Sequence, residues 1–164
     1  MKKLKNTDKI ILPTSSLEHL DKFRIPAPYF FRITTEIGLT KYSGVIEFTA
    51  PNRTVYMSRT LIEDLFIVVG DKVQISCVSI PTGEYVKFKD VGKLDFMKLS
   101  NPTCVLERTL RNKSTLELNE RIIIRIPELD CVYELEVIET KPGNVISLID
   151  SNIKVEFEKK NLKK

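Results

Sequence analysis

Hydrophobic positions along this chain repeat mostly at every second residue, in short runs broken by turn residues. In Val45-Ile46-Glu47-Phe48-Thr49, Ile46 and Phe48 share one face while Val45, Glu47 and Thr49 share the other, the alternation of a half-buried strand. The same reading places strands at about 9–13, 30–34, 44–49, 54–57, 72–80 and 85–89, and at 115–118, 121–127, 131–139, 145–149 and 153–157. Within 72–80, Val73, Ile75 and Cys77 lie on one face, and Pro81-Thr82-Gly83 is expected to close a hairpin onto 85–89. The run Ile122-Ile123-Ile124 predicts a strand buried on both faces.

Three helices interrupt the strands. Ser15-Ser16-Leu17-Glu18 reads as a capping box, with Leu17, Leu20 and Phe23 near one face, and Ile25-Pro26-Ala27-Pro28 forbids continuation. A second helix is expected from about Ser58 to Leu65, with Thr60 and Glu63 able to form another box. The third spans 102–112: Asn101 can cap it, and Pro102 stands where a missing N–H costs nothing. Strands and helices do not alternate in a βαβ rhythm, so the class is β-rich α+β. Residues 90–100 hold Gly92 and few apolar positions in register, which puts a boundary near residues 90–94.

At 164 residues and 42% apolar content, the chain holds one domain or two small ones with a real core. No apolar run approaches the ~20 residues of a membrane span. Behind the charges of MKKLKNTDK there is no apolar stretch, so this start is not expected to be a signal peptide. Cys77, Cys104 and Cys131 lie far apart, an odd count without paired spacing, and are expected as buried thiols in a reducing compartment. With no CxxC and His19 the only histidine, no metal site and no cofactor is expected.

The net charge of +4 comes from the ends. Lys2, Lys3, Lys5, Lys9, Lys159, Lys160, Lys163 and Lys164 flank a body, 10–158, with 18 basic and 21 acidic residues. A basic groove for nucleic acid is therefore not indicated, and the tails 1–7 and 159–164 read as solvated ends. Binding of nucleic acid through those lysines is a rival that predicts a steep loss of affinity with salt.

Candidate chemistry is sparse. No phosphate-cradling glycine motif, nucleophile elbow or zinc-protease motif occurs. His19, between Glu18 and Asp21, reads as a surface residue. Glu134 with Glu136 and Glu156 with Glu158 are paired on strand faces. Such rows work as acid and base only in a desolvated cleft, and are otherwise the wet side of a sheet.

Several blocks carry a resemblance: Lys9, Ile10 and Pro13; Gly44, Val45, Glu47 and Phe48; Tyr56; Gly83, Val86 and Lys87; Asn101, Pro102, Val105, Leu106, Glu107, Leu110, Arg111 and Asn112; Tyr133, Glu134, Glu139, Thr140, Lys141 and Pro142; Val155 and Phe157. In this order and spacing the chain resembles the N-terminal domain of the ubiquitin fusion degradation protein 1 family. The pattern departs from the family at Lys113, where relatives have an aromatic, and at Asp90, where they have proline.

The resemblance implies a double-psi β-barrel lobe over residues 8–90 and a smaller mixed α/β lobe over 95–158. It implies a non-catalytic adaptor that binds ubiquitin and polyubiquitin chains and delivers ubiquitinated proteins to an AAA+ unfoldase for extraction, in degradation from the endoplasmic reticulum or in protein transport. Implied partners are a nuclear protein localisation 4 homologue and the unfoldase, both through a C-terminal region expected to be absent here. Implied locations are cytoplasm and nucleus, at the endoplasmic reticulum surface; a complex-plastid compartment is the alternative. An interaction scaffold that has lost ubiquitin binding is the rival reading of the same fold. An enzyme on such a barrel would need Asp-Thr/Ser-Gly, and the nearest string is Pro81-Thr82-Gly83. A partner for ubiquitin's small apolar patch must display apolar side chains. The expected contacts are Val55, Tyr56 and Met57, together with Val45, against a competing reading in which Val55 and Met57 are core.

Overall fold

A computed structural model describes residues 4–5 and 7–158. Of the expected basic tails, only Leu4, Lys5 and Thr7 fall among them. The chain forms two compact units, residues 1–80 with 112–115, and residues 81–111 with 116–164. Both mix strands with short helices, so the class is α+β.

In the first unit, β1 (Ile10–Pro13) runs parallel to β4 (Val45–Ala50), with Ile10 beside Val45 and Pro13 beside Ala50. β2 (Phe30–Thr35) is flanked by antiparallel β3 (Thr40–Ser43) and β5 (Val73–Val78). Ile10, Leu12, Leu20, Phe31, Ile33, Leu61 and Leu65 form the core between these strands and helices α1 (Thr14–Lys22) and α2 (Arg59–Asp64). The strand expected at 54–57 shrinks to one bridge, in which Tyr56 and Ile11 exchange backbone hydrogen bonds of 3.0 and 2.9 Å.

Gly44 stands where only hydrogen fits. A Cβ there would lie 2.3 Å from Ser114 Oγ and 2.9 Å from Ser114 Cβ. Segment 112–115 is held by Asp8, whose carboxylate accepts the N–H groups of Ser114 and Thr115. Burial pushes the Asp8 carboxyl up from 3.8, against the opposing pull of Lys113 and these N–H donors.

The helix signals need three corrections. No side chain caps α1, which starts after extended Pro13; Ser15 Oγ donates to Asn52 Oδ1 instead. For α2 the cap is Ser58, whose Oγ accepts from Leu61 N–H at 3.1 Å, and not Thr60 two residues on. Proline-rich 25–28 follows α1 but does not end it. Arg24, at φ 52°, closes it with bonds from Arg24 N–H to Asp21 O and from Ile25 N–H to Leu20 O.

In the second unit, β6 (Tyr85–Asp90) runs between β9 (Cys131–Lys141) and β11 (Lys154–Glu158), with β8 (Arg121–Ile126) outside β9. β7 (Thr115–Glu117) pairs with β10 (Val145–Ser147). The core gathers Val86, Phe88, Phe96, Leu135, Val137 and Ile146, all fully buried, with Leu106 from α3 (Pro102–Leu110). Asn101 caps α3 through Oδ1 on Cys104 N–H at 3.2 Å, with Pro102 in the first turn.

The expected hairpin between 72–80 and 85–89 does not form. β5 pairs with β2, and β6 pairs with β9 and β11. Pro81-Thr82-Gly83 lies along β10, where Gly83 N–H donates to Ser147 O and Ser147 N–H to Pro81 O. Nor is Ile122-Ile123-Ile124 buried on both faces. Ile122 and Ile124 enter the core, while Ile123 is 52% exposed beside Arg121 and Arg125. The cysteines are free, with Cys77 and Cys104 exposed and Cys131 half-buried, so the expectation of three buried thiols is also corrected. Cys104 takes an outward position on α3 while Leu106 turns in, so the small thiol is not needed for packing.

Candidate functional site

Helix α2 is followed by the apolar run Leu65-Phe66-Ile67-Val68-Val69. Leu65, fully buried, ends the helix. Phe66 takes φ 55° and donates its N–H to Glu63 O at 3.1 Å, while Ile67 N–H reaches back to Ile62 O at 3.3 Å. This pair of bonds closes a helix through a left-handed residue, a place usually given to glycine. Ile67 packs on the core, so the turn is stapled from within. Asp71 fixes the next turn, accepting Val68 N–H on Oδ2 at 2.9 Å and donating its own N–H to Val68 O at 3.0 Å. Phe66 is 80%, Val68 68% and Val69 92% exposed.

Ile67, Val68 and Val69 of this loop, though not Phe66, line an open groove of about 1280 Å³ in the first unit. Val55, Tyr56 and Met57 line it, along with Leu12, Leu20, Phe31, Ile62 and Val73. All three expected contact residues are half-buried. Val55 and Met57 pack on the first core, and Tyr56 on the small cluster of Leu4, Ile11 and Ala50. Val45 is likewise half-buried on the core and does not line the groove. The fold thus brings 55–57 together with the exposed loop and leaves Val45 apart from it.

Family comparison divides the chain much as its contacts do. Residues 1–81 match the model for "Ubiquitin fusion degradation protein UFD1, N-terminal subdomain 1", and residues 82–160 match that for subdomain 2. The chain belongs to the ubiquitin fusion degradation protein 1 family. It is 34% identical over 151 residues to the human protein named "Ubiquitin recognition factor in ER-associated degradation protein 1", covering 92% of this chain and 48% of that one. "Ubiquitin fusion degradation protein 1" of Saccharomyces cerevisiae is 34% identical over 153 residues, covering 91% and 42%. The Dictyostelium discoideum homologue is 33% identical over 155 residues, covering 94% and 46%. The chain thus spans less than half the length of these relatives.

Elsewhere in this family member, the paired carboxylates sit in a charged lattice on the outer face of the second unit's sheet. Lys87 lies between Glu156 and Glu139 in register, and Lys89 between Glu158 and Glu136. Arg121 reaches Glu134 at 3.7 Å, Lys154 reaches Glu156 at 3.2 Å, and Lys141 rests 4.9 Å from the centre of the Tyr85 ring. Tyr85 Oη donates to Glu156 Oε2 at 2.6 Å. That bond, with Lys154, holds the Glu156 carboxyl below its ordinary range; the same bond, with burial and the negative charges of Glu156 and Glu139, pushes the Tyr85 phenol up to about 12. Opposite charges interleave here. His19 is exposed, with its ring 4.6 Å from Phe23. Among the described residues no grouping of three or more His, Cys, Asp or Glu could hold a metal ion.

The sequence reading missed the 66–69 loop as a display element. Its signal was present: four apolar residues fall between the helix's last core residue, Leu65, and the Gly70-Asp71 turn. Four positions are too few to continue the helix face and fall short of the next strand.

Proposed function

We propose that this chain is a non-catalytic domain that recognises ubiquitin and polyubiquitin chains. The observation that carries the reading is the match along both halves of the chain to a family whose relatives are named for ubiquitin recognition in degradation. The first unit supports it physically, because it offers a firm apolar loop beside a groove, the kind of surface a folded protein partner requires. The chemistry of the second unit points the same way, since its carboxylates are matched with cations rather than held in a desolvated cleft.

In this reading the first unit is a double-psi β-barrel. The parallel pairing of β1 with β4 and the return of 54–57 to Ile11 support that topology. The domain presents ubiquitinated proteins to an AAA+ unfoldase alongside a nuclear protein localisation 4 homologue, on the cytosolic side of the endoplasmic reticulum. A single ubiquitin is bound weakly, and tightness comes from several ubiquitins on one chain.

The test is a titration of the purified chain against mono-ubiquitin and tetra-ubiquitin. Saturable binding that tightens at least about tenfold from one to four ubiquitins is the expected result. Absence of binding to either would leave the fold as an interaction scaffold for some other partner.

A further inference from the structure

Of the seven exposed large apolar residues described in the first unit, all but Phe23 and Ile46 lie on two segments at one end of one sheet. β2 and β5 are antiparallel, and their ladder ends with Thr35 opposite Val73. The turn that follows Thr35 and the loop that precedes Val73 therefore emerge at the same end. The turn displays Ile37, 76% exposed, and Leu39. The loop displays Phe66, Val68 and Val69.

Both segments are fixed by their own hydrogen bonds. Gly38 donates its N–H to Thr35 O at 3.0 Å, Thr35 donates its N–H to Leu39 O at 2.9 Å, and Leu39 N–H meets Thr35 Oγ1 at 3.0 Å. Asp71 clamps Val68 from both sides. Such a surface binds without first being ordered. Phe66 adds a second sign. A bulky residue in the left-handed region is disfavoured where glycine would be at ease, and Phe66, 80% exposed, buries little of its ring to offset that cost. Exposed Glu36, Asp64 and Asp71 flank the apolar residues in sequence, with Lys41 and Lys72 the adjoining bases, so acidic groups outnumber basic ones. A partner that fits has an apolar centre and a basic surround.

We infer that this sheet end, with Ile37, Leu39, Phe66, Val68 and Val69, is the anchor that docks the apolar, basic-rimmed face of ubiquitin. The inference rests on the ubiquitin-recognition reading and shifts the main contact from 55–57 to the exposed loops.

The experiment compares the full chain with Phe66→Gly and Val69→Ser, by titration with tetra-ubiquitin and by thermal unfolding. Phe66→Gly relieves the left-handed position, so its melting temperature should equal or exceed the parent's. Its affinity should fall at least about tenfold, as should that of Val69→Ser, whose site is too exposed to affect folding. Raising the salt should weaken the parent's binding, because acidic and basic rims face each other. Folded variants that bind tetra-ubiquitin like the parent would overturn the anchor while leaving ubiquitin recognition standing. A parent that binds no ubiquitin would overturn both.

Discussion

Asp8 receives the backbone N–H of Ser114 on both of its carboxylate oxygens, at 2.9 and 2.8 Å, and that of Thr115 at 3.2 Å. One side chain thereby satisfies two backbone donors on a strap 106 residues further along the chain. Asp8→Ala leaves these donors without their acceptor inside the first unit. The expected loss is about 1–3 kcal/mol of unfolding free energy. Urea denaturation checks it, and a midpoint unchanged from the parent would show that the strap is held by other means.

Gly44→Ala tests the close approach on the same strap. The added methyl would lie 2.3 Å from Ser114 Oγ, so the strap or β4 must shift. The expected cost is about 1–3 kcal/mol. Ser114→Gly removes the obstructing side chain, so the double variant should recover much of that cost. Strict additivity of the two single variants would rule the clash out.

The pair Tyr85 and Glu156 sets a pH window for the second unit. Glu156 titrates below its ordinary 4.5 in the folded chain, so its contribution is present above about pH 4.5 and is lost as pH falls through the lowered value. Tyr85 is raised from 10.0 to about 12, so its contribution is present below about pH 10 and is lost as pH rises through about 12. The stability difference between the parent and Tyr85→Phe should thus be widest between about pH 4.5 and 10, narrowing at both ends. Chemical denaturation across pH measures it. A difference that stays flat from pH 3 to 11 would contradict the bond's role.

Local signals proved legible where the physics is local. Asn101 and Pro102 start α3 as expected, because a cap and a proline act within one turn. Partner choice was not legible. The Pro81-Thr82-Gly83 turn suggested that its two neighbouring strands pair, yet β6 is claimed by β9 and β11, some 50 to 70 residues on. Val86 and Phe88 bury fully in that sheet, and the energy of this burial outweighs the nearby turn signal. Ile123 was misread because an isoleucine run looks the same whether a sheet is covered on one face or two. In the candidate groove, 55–57 could be picked out as an apolar segment, but their half-burial could not. The 66–69 loop carries the same residue types as the core, and only the backbone turn at Phe66 sets it outside.

The placement of β6 predicts how the chain can be divided. A piece comprising 82–160 contains all four strands of the second unit's large sheet and should show dispersed amide-proton signals. A piece starting at 95, as the boundary near 90–94 would suggest, lacks the strand that joins β9 to β11 and should be unfolded. A dispersed spectrum from the shorter piece would mean that β6 is dispensable.

Recognition of ubiquitin is tested most directly by mapping backbone amide shifts of the isotope-labelled chain as tetra-ubiquitin is added. The account predicts saturable shifts concentrated on 36–39 and 66–72, with smaller ones along the groove at 54–57. The charged face of β6, β9 and β11 should stay unmoved. Shifts confined to that charged face, or none at all at saturating ubiquitin, would contradict it.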